Sequence, residues 1–207
     1  MNLSYAITVC NEFLEIQKLL AFLLKNKRAQ DEIVILYDSN NGDPEVEAFL
    51  RSHSLNKEFH WHKGHFEGHF AEWKNHLTSL CGGDYIFQID ADELPSKTLM
   101  DNLPAIIEHN PGIDVLLVPR ENYVSGLTDN HIQKWGWKLD EQERVNWPDL
   151  QWRVYRNCEE INWVNKVHEK LDGFQVYTHL PIEPEYSLLH AKTISRQEKQ
   201  NNYYDTL

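Results

Sequence analysis

The sequence has little cysteine, no long apolar run and no basic leader. Its 207 residues include only 3 cysteines, Cys10, Cys81 and Cys158. Their odd number and wide spacing exclude a disulfide framework and a Cys-x-x-Cys zinc site, and predict free thiols in a reducing compartment. The longest aliphatic run, residues 19–24, is too short to cross a bilayer, and a signal peptide is not expected. These absences predict a cytoplasmic protein without a transmembrane segment.

Basic residues are also scarce, because 20 Lys and Arg stand against 32 Asp and Glu and give a formal net charge of -12. A nucleic-acid binder normally presents a basic face, since its affinity depends on neutralising phosphates. We therefore expect no nucleic-acid partner, although a local cation still allows a small phosphate ligand to bind. The hydrophobic share of 41% and the charged share of 25% are typical of a globular chain with a substantial core.

The first half of the chain alternates segments typical of strands and of helices. Strands are predicted at residues 6–10, 33–37, 58–62, 84–89 and 113–118. Helices are predicted from about Glu12, from Asp43-Pro44 to about Arg51, from Phe66 to Leu80 on a spacing of four, three, four and three, and after Ser96 with a break near Pro104. This alternation predicts an α/β fold with a mostly parallel, Rossmann-like sheet whose strand ends bind ligands.

The texture of the sequence changes after about residue 120. Four tryptophans, Trp135, Trp137, Trp147 and Trp152, fall in a loop-rich stretch, and Trp163 follows shortly after it. We expect this half to continue the sheet and to add long loops, and the polar tail from Ser195 to form a surface helix.

Two carboxylates one residue apart follow the apolar strand 85–89, at Asp90 and Asp92. Oxygen ligands of this kind bind Mg²⁺ or Mn²⁺ and usually leave coordination positions for substrate phosphates. An ion held by Asp90 and Asp92 would act as a Lewis acid on a departing diphosphate. Asp-x-Asp is common in solvated turns, and its place after a buried strand is what favours the functional interpretation.

On these residues the chain resembles the family 2 glycosyltransferases of the GT-A fold, from Ile7 to about Tyr204. Four elements follow in the expected order: Thr8-Val9-Cys10-Asn11-Glu12 after the first strand, Asp38-Ser39 after the second, Lys74-Asn75 on the amphipathic helix, and Asp90-Ala91-Asp92. The resemblance implies a nucleoside-diphosphate sugar donor, with UDP as the default. It implies donor-binding residues at Thr8, Cys10, Asn11, Glu12, Asp38, Lys74, Asn75, Asp90, Ala91 and Arg153.

Three later segments are similar to a subgroup related to bacterial lipopolysaccharide-core glucosyltransferases. They are Trp147 to Arg153, Trp163 to Glu169, and His190-Ala191-Lys192. The resemblance implies one inverting displacement, in which a carboxylate removes the proton of the acceptor hydroxyl. It also implies one GT-A domain over residues 1–207, with a nucleotide-sugar half at 1–119 and a loop-rich acceptor half at 120–207. The processive signature Gln-x-x-Arg-Trp is absent, which favours transfer of a single sugar to a glycan or other hydroxyl acceptor.

Asp149 is the first candidate for the catalytic base and Glu169 the second. Alternation along a strand would place Gln151 and Arg153 on the face of Asp149, so that Arg153 either pairs with a phosphate or steadies Asp149. In GT-A enzymes a late histidine sometimes completes the metal shell, and His190 is the candidate for that position beside Asp90 and Asp92. The tryptophan loops, from Trp135 to Trp163, are the predicted acceptor platform.

Plainer interpretations stand beside these. Thr8, Asn11 and Glu12 are also suited to capping the first helix, and Asp38 to an Asx turn. Lys74 and Asn75 suit an exposed helix face equally well. Asp149 after a proline suits a turn, and a lone histidine such as His190 is most often structural.

Three other functions compete with the transferase. A haloacid-dehalogenase-type phosphatase or phosphotransferase also carries Asp-x-Asp after a strand, but the motif normally opens its domain. A nucleotidyltransferase usually begins with a glycine-rich loop and a basic pair, which residues 1–15 lack. A non-catalytic carbohydrate-binding protein would use the tryptophans alone. Mn²⁺-dependent hydrolysis of the donor separates an enzyme from that binding protein.

Overall fold

A computed structural model describes residues 1–56 and 58–204. The first half contains β1 (Leu3–Val9), α1 (Phe13–Asn26), β2 (Glu32–Asp38), α2 (Pro44–His53), β3 (His60–Gly64), α3 (Phe70–Ser79), β4 (Tyr85–Asp90), β5 (Glu93–Pro95), α4 (Lys97–His109) and β6 (Val115–Ser125). The second half adds α5 (Asp129–Trp135), β7 (Asp149–Arg156), β8 (Asn162–Val164), β9 (Lys170–Asp172), β10 (Tyr177–His179), β11 (Leu188–Thr193) and α6 (Ile194–Tyr204).

One large sheet has the strand order β3-β2-β1-β4-β7-β6-β11-β5, and β10 pairs beside β6. The strands β3, β2, β1 and β4 are mutually parallel, β7 is antiparallel to both neighbours, and β11 is again parallel to β6. A separate antiparallel ribbon joins β8 to β9. The predicted α/β fold, a mostly parallel curled sheet flanked by helices in the manner of GT-A proteins, is confirmed.

Both faces of the parallel strands are covered, which explains their continuous apolar sequences. On one face the α1 stripe of Ile16, Leu19, Leu20 and Leu23 packs on the sheet together with α4. On the other face Trp73 and Leu77 of α3 contact the opposite side of β2 and β4. The core therefore fixes the central strands, and their carboxyl ends become a rigid edge.

The boundaries differ from the predicted ones at two helices. The fourth helix continues through Pro104 rather than breaking there, because Pro104 lies on the buried face with Leu99, Leu103 and Ile107, whose packing outweighs one lost backbone hydrogen bond. The third helix begins at Phe70, not at Phe66, and the His69 side chain caps it.

The strands are also longer than predicted at several ends. The strand predicted at residues 113–118 runs on to Ser125, and its extension forms the platform for β11. The predicted terminal helix is present as α6. Within the two described ranges, no helix is long and apolar enough to cross a membrane.

Candidate functional site

The candidate site lies where β1, β2 and β4 end and where β7 begins. Parallel strands end at the same edge, and register aligns Thr8 of β1 with Asp90 of β4. Because β7 runs antiparallel, its first residue, Asp149, returns to that edge opposite Arg120 of β6. On β11, His190 lies between Asn122 and Glu93. Residues from both halves of the sequence therefore meet at one sheet edge.

Arg153 is a buried cation at the floor of this edge, with 3% of its side chain exposed. Its Nη2 donates to Asp90 Oδ2 and to Glu93 Oε1, at 2.6 Å each. Burial opposes ionisation of Asp90, but Arg153 and Lys74 together hold the pKa of that carboxyl well below its usual range. Of the two alternatives for Arg153, contact with Asp149 is wrong, because Arg153 binds Asp90 and Glu93 instead. Pairing with a phosphate stays a prediction.

Arg120 takes the role that the sequence suggested for Arg153. Its Nε and Nη2 donate to Asp149 Oδ2 at 2.9 and 2.8 Å, and its Nη1 donates to Glu93 at 2.9 Å. Gln151 donates to the other oxygen of Asp149 at 2.6 Å, which confirms that Gln151 and Asp149 share a face. Burial raises the pKa of Asp149, yet Arg120 and Asn122 outweigh it and leave the pKa below its ordinary value.

Asn122 and His190 connect Asp149 to Asp92 through a series of contacts. Asn122 Nδ2 donates to Asp149 Oδ2 at 2.7 Å, so its Oδ1 is the atom that faces His190 Nδ1, also at 2.7 Å. An amide oxygen only accepts, and His190 Nδ1 therefore carries a proton. The other ring nitrogen, Nε2, faces Asp92 Oδ2 at 3.4 Å. It carries a lone pair that a metal ion could use in the neutral imidazole, and a proton that faces the carboxylate in the imidazolium.

This pair suits one divalent ion. Ligand atoms that each lie about 2.1 Å from an ion are at most about 4.2 Å apart, and the 3.4 Å between Asp92 and His190 satisfies that limit. The predicted third ligand, Asp90, is held by Arg153 and Gln88. In the part of the chain that the structure describes, no group of three His, Cys, Asp or Glu side chains converges as a metal site. Of the three predicted metal ligands, Asp92 and His190 are thus the two that lie close enough together to hold one ion.

Asp92 is ringed by nitrogen atoms. Besides His190, Arg196 Nη2 lies 3.6 Å and Lys192 Nζ 3.9 Å from Asp92 Oδ2. Burial opposes ionisation of Asp92, but His190 and Lys192 keep its pKa below the usual range. The site therefore combines two potential metal ligands with two flanking cations.

The loop between β1 and α1 is shaped by Glu12. Its Oε2 accepts from the backbone N–H groups of Cys10 and Asn11 at 2.8 and 3.1 Å, and its Oε1 pairs with Arg196. Burial raises the pKa of Glu12. Although Glu12 is the N-cap residue of α1, its side chain makes no capping hydrogen bond to the helix. Thr8 remains a predicted donor contact at the end of β1.

Asp38 forms the predicted Asx turn after β2. Its buried carboxylate accepts from Asn40 N at 3.0 Å and from Asn41 Nδ2 at 2.9 Å. The thiol of Cys10 lies 3.9 Å from Asp38, and burial together with Glu12 raises the pKa of that thiol to about 12. The turn alternative thus accounts for the conformation, and contact with a nucleobase stays a prediction.

Lys74 and Asn75 have different partners. Lys74 is 5% exposed, which excludes the surface alternative; it donates to Glu169 at 2.5 Å, lies 4.0 Å from Asp90 and sits over the Trp163 ring. Asn75 exchanges two hydrogen bonds with the backbone of Trp163, at 2.8 and 2.9 Å. Asn75 therefore anchors β8, and both its amide nitrogen and its amide oxygen are bonded to the Trp163 backbone. Lys74 instead faces Asp90 at the sheet edge. Ala91 is buried between the two aspartates.

The predicted aromatic platform is divided. Trp163 is buried against Tyr155 in the core, and Trp152 packs on Phe174 and Tyr177. Trp163 is therefore not available to an acceptor, and the predicted platform from Trp135 to Trp163 does not include it. The ring centroids of Trp135, the last residue of α5, and Trp137 lie 4.7 Å apart, and Arg144 covers Trp147. These three half-buried tryptophans lie at the end of α5 and in the segment that leads to β7.

Five site residues have no strong local signal in the sequence. Glu93 directly follows Asp90-Ala91-Asp92, and Lys192 ends the segment His190-Ala191-Lys192. Arg120, Asn122 and Arg196 were missed, because each stands in an unremarkable segment. Alternation on β6 is the one available signal for the first two: Arg120 and Asn122 are two residues apart and share a face.

Comparison with known proteins supplies the context for this geometry. A family model described as Glycosyl transferase family 2 matches residues 4–169. No curated protein sequence matches the chain. The crystal structure of S. aureus TarS 1-349 in complex with UDP-GlcNAc is similar, with a TM-score of 0.63 and 15% identity, over 93% of this chain and 59% of that one.

Two further TarS structures give the same result. The crystal structure of S. aureus TarS 1-349 in complex with UDP has a TM-score of 0.62 at 15% identity, and covers 92% of this chain and 60% of that one. The structure of S. aureus TarS has a TM-score of 0.57 at 12% identity, with 97% of this chain and 38% of that one covered. The chain thus spans about 59% of the TarS 1-349 chain, and the likeness concerns the fold.

Proposed function

Since the chain belongs to glycosyl transferase family 2, which it matches over residues 4–169, we propose that it transfers one sugar from a nucleoside-diphosphate donor to a hydroxyl acceptor. The donor proposed is a UDP-sugar, supported by the UDP and UDP-GlcNAc complexes of the similarly folded TarS. The reaction proposed is a single inverting displacement. The acceptor proposed is a glycan or another hydroxyl compound bound by residues 120–207, while residues 1–119 bind the donor within one domain.

The observation that carries this proposal is the pair formed by Asp92 and His190. Asn122 fixes the protonated nitrogen of His190, so that the other nitrogen and the Asp92 carboxylate face one point. A Mn²⁺ or Mg²⁺ ion held there would neutralise the negative charge that develops on the departing diphosphate. The Asp92 carboxylate and the His190 imidazole would be the metal ligands, and their fixed orientation reduces the reorganisation needed when the donor binds.

Asp149 is the favoured base. A single residue, Asn122, connects Asp149 to the pair formed by His190 and Asp92. Arg120 fixes the orientation of the Asp149 carboxylate. Its carboxylate is ionised at neutral pH and is able to accept the acceptor's proton. Glu169 is the second candidate, but it pairs with the buried Lys74 near Asp90. The similarity of the second half to lipopolysaccharide-core glucosyltransferases remains part of the proposal.

Asp92→Asn tests the metal assignment. We expect Mn²⁺-stimulated hydrolysis of a UDP-sugar to fall by at least about 100-fold, because an amide is a much weaker metal ligand and leaves His190 alone. Asp101→Asn is the matched control, since Asp101 is exposed on α4 and pairs with Lys97; its hydrolysis rate should match that of the unmodified protein. Circular dichroism checks that both variants are folded.

Unchanged hydrolysis in Asp92→Asn contradicts the metal assignment. A wild-type protein that binds free saccharides but cleaves no member of a panel of nucleotide sugars contradicts the transferase itself. A thermal-shift panel of nucleoside diphosphates, with and without Mn²⁺, identifies the nucleobase of the donor, because selective binding raises the unfolding temperature of the protein.

A further inference from the structure

The carboxyl-terminal helix α6 places one arginine across the mouth of the donor site. Arg196 Nη2 donates to Glu12 Oε1 and Nη1 donates to Glu15 Oε1, at 2.9 Å each. The same Nη2 lies 3.6 Å from Asp92 Oδ2. About 30% of the Arg196 side chain is exposed, so a bound ligand can reach it. Arg196 therefore connects the end of β1, the start of α1 and the candidate metal ligand.

Lys192 is a second cation at this mouth, and it is mostly buried. Burial lowers the pKa of its ammonium group, and Asp92 counteracts this. Its Nζ donates to Gln200 of α6 at 2.6 Å but remains 3.9 Å from Asp92. Neither Lys192 nor Arg196 is within the usual hydrogen-bond length of Asp92, which ends at about 3.2 Å. Lys192 and Arg196 thus both lie near the Asp92 carboxylate without forming a hydrogen bond to it.

We propose that Arg196 and Lys192 bind the diphosphate of the donor, and that Arg196 exchanges Glu12 and Glu15 for phosphate oxygens when it does so. This assignment rests on the proposed function. Glu12 and Glu15 hold the guanidinium group by hydrogen bonds, and Asp92 lies 3.6 Å from it. A divalent ion on Asp92 compensates that carboxylate, and the diphosphate brings new acceptors. A planar guanidinium group matches paired phosphate oxygens well, which favours the exchange.

The exchange also assigns a role to α6. The helix is fixed to the sheet through Lys192 and Gln200, while Arg196 reaches forward from its first turn. Glu15 belongs to α1 and is not among the predicted donor-binding residues. Weakening the contact between Glu15 and Arg196 should therefore release the arginine without removing any group that touches the donor. This gives two variants with opposite expected effects.

Binding of UDP, UMP and uridine, measured by calorimetry in the presence of Mn²⁺, tests the proposal. Arg196→Gln should weaken UDP binding by about 10- to 100-fold, the loss expected for a charge-assisted hydrogen bond. Uridine binding should be unchanged, since the nucleoside does not reach the guanidinium group. Glu15→Gln should strengthen UDP binding by about 2- to 5-fold, in line with the modest energy of a partly exposed ion pair. Arg51→Gln, an exposed change on α2, is the control and should leave all three affinities unchanged.

The outcomes separate the two proposals. If the wild-type protein binds no nucleoside diphosphate, the proposed function fails. If the wild-type protein binds UDP and Arg196→Gln binds it equally well, the proposed function stands and the role of Arg196 is refuted. Equal weakening of uridine and UDP would show that Arg196 only supports the fold of the nucleoside pocket, and would also refute the inference.

Discussion

At the scale of single residues, two carboxylates compete for the role of base and differ in their partners. Asp149 is held by Arg120, Asn122 and Gln151, which fix its orientation in the site. Glu169 makes one strong contact with the buried Lys74. A base must be held in a fixed orientation near the reacting groups. The hydrogen bonds that connect Asp149 through Asn122 to His190, a candidate metal ligand, favour Asp149. The two residues can be compared directly by amide substitution, since each change keeps the size of the side chain.

We expect Asp149→Asn to lower the rate of sugar transfer by about 100-fold or more, within the range typical of general bases, and to leave UDP affinity unchanged. Glu169→Gln should lower the rate less. Because the pKa of Asp149 lies below its ordinary value, its carboxylate stays ionised from pH 8 down to about pH 5, and protonation of Asp149 should cause no loss of rate in that interval. Initial rates with a fixed acceptor provide the measurement. Near-normal transfer by Asp149→Asn would favour Glu169.

At the scale of elements, the short strand β8 depends on a side chain of α3 rather than on the main sheet. Among the strands that the structure describes, β8 pairs with β9 alone. The Asn75 amide supplies hydrogen bonds that a further strand would otherwise make. The Asn75 side chain both donates to and accepts from the Trp163 backbone. This attachment keeps Trp163 and the following segment, including Glu169, against α3.

Asn75→Ala should therefore lower the free energy of unfolding by about 1–3 kcal/mol, because it leaves a backbone donor and acceptor without partners. Urea unfolding followed by tryptophan fluorescence measures this loss. Asn162→Ala is the matched control, since Asn162 is exposed and its side chain donates to the nearby Glu159 carbonyl. Its loss of unfolding free energy should be well under that of Asn75→Ala. Equal losses in the two variants would argue against the anchoring role.

At the scale of the whole molecule, ion pairs of the site join the two halves of the sequence. Arg153 of β7 contacts Asp90 of β4 and Glu93 of β5, and Arg120 of β6 contacts Glu93 and Asp149. Three of these four contacts cross the boundary near residue 119. The two halves of the sequence should therefore unfold as one cooperative unit.

Arg153→Met tests this coupling. Removing the buried guanidinium group leaves Glu93 and Asp90 without their shared partner, and loss of one member of a buried pair costs about 3–5 kcal/mol. We expect that decrease in the free energy of unfolding, in a single transition reported equally by circular dichroism and fluorescence. Arg51→Met, which removes an exposed pair with Glu47, should cost about 1 kcal/mol or less. Two separate transitions in the wild-type protein would contradict the coupling.

The sequence by itself determined the order of strands and helices in the first half and the placement of Asp90 and Asp92 at a strand end. Both follow from local rules, namely the spacing of apolar residues and the position of polar residues directly after an apolar strand. The Asx turn at Asp38 and the cap and first-turn proline at Asp43-Pro44 were predictable for the same reason. Such features need only neighbours along the chain.

Only the tertiary structure decided which side chains meet. Arg153 and Asp90 are 63 positions apart, and His190 and Asn122 are 68 apart. Their contacts depend on strand order and register, and a shift of one residue would turn each side chain to the opposite face. That dependence is why Arg120, rather than Arg153, steadies Asp149, and why Trp163 lies in the core. It is also why Arg196, in a polar tail with no local signal, reaches Asp92.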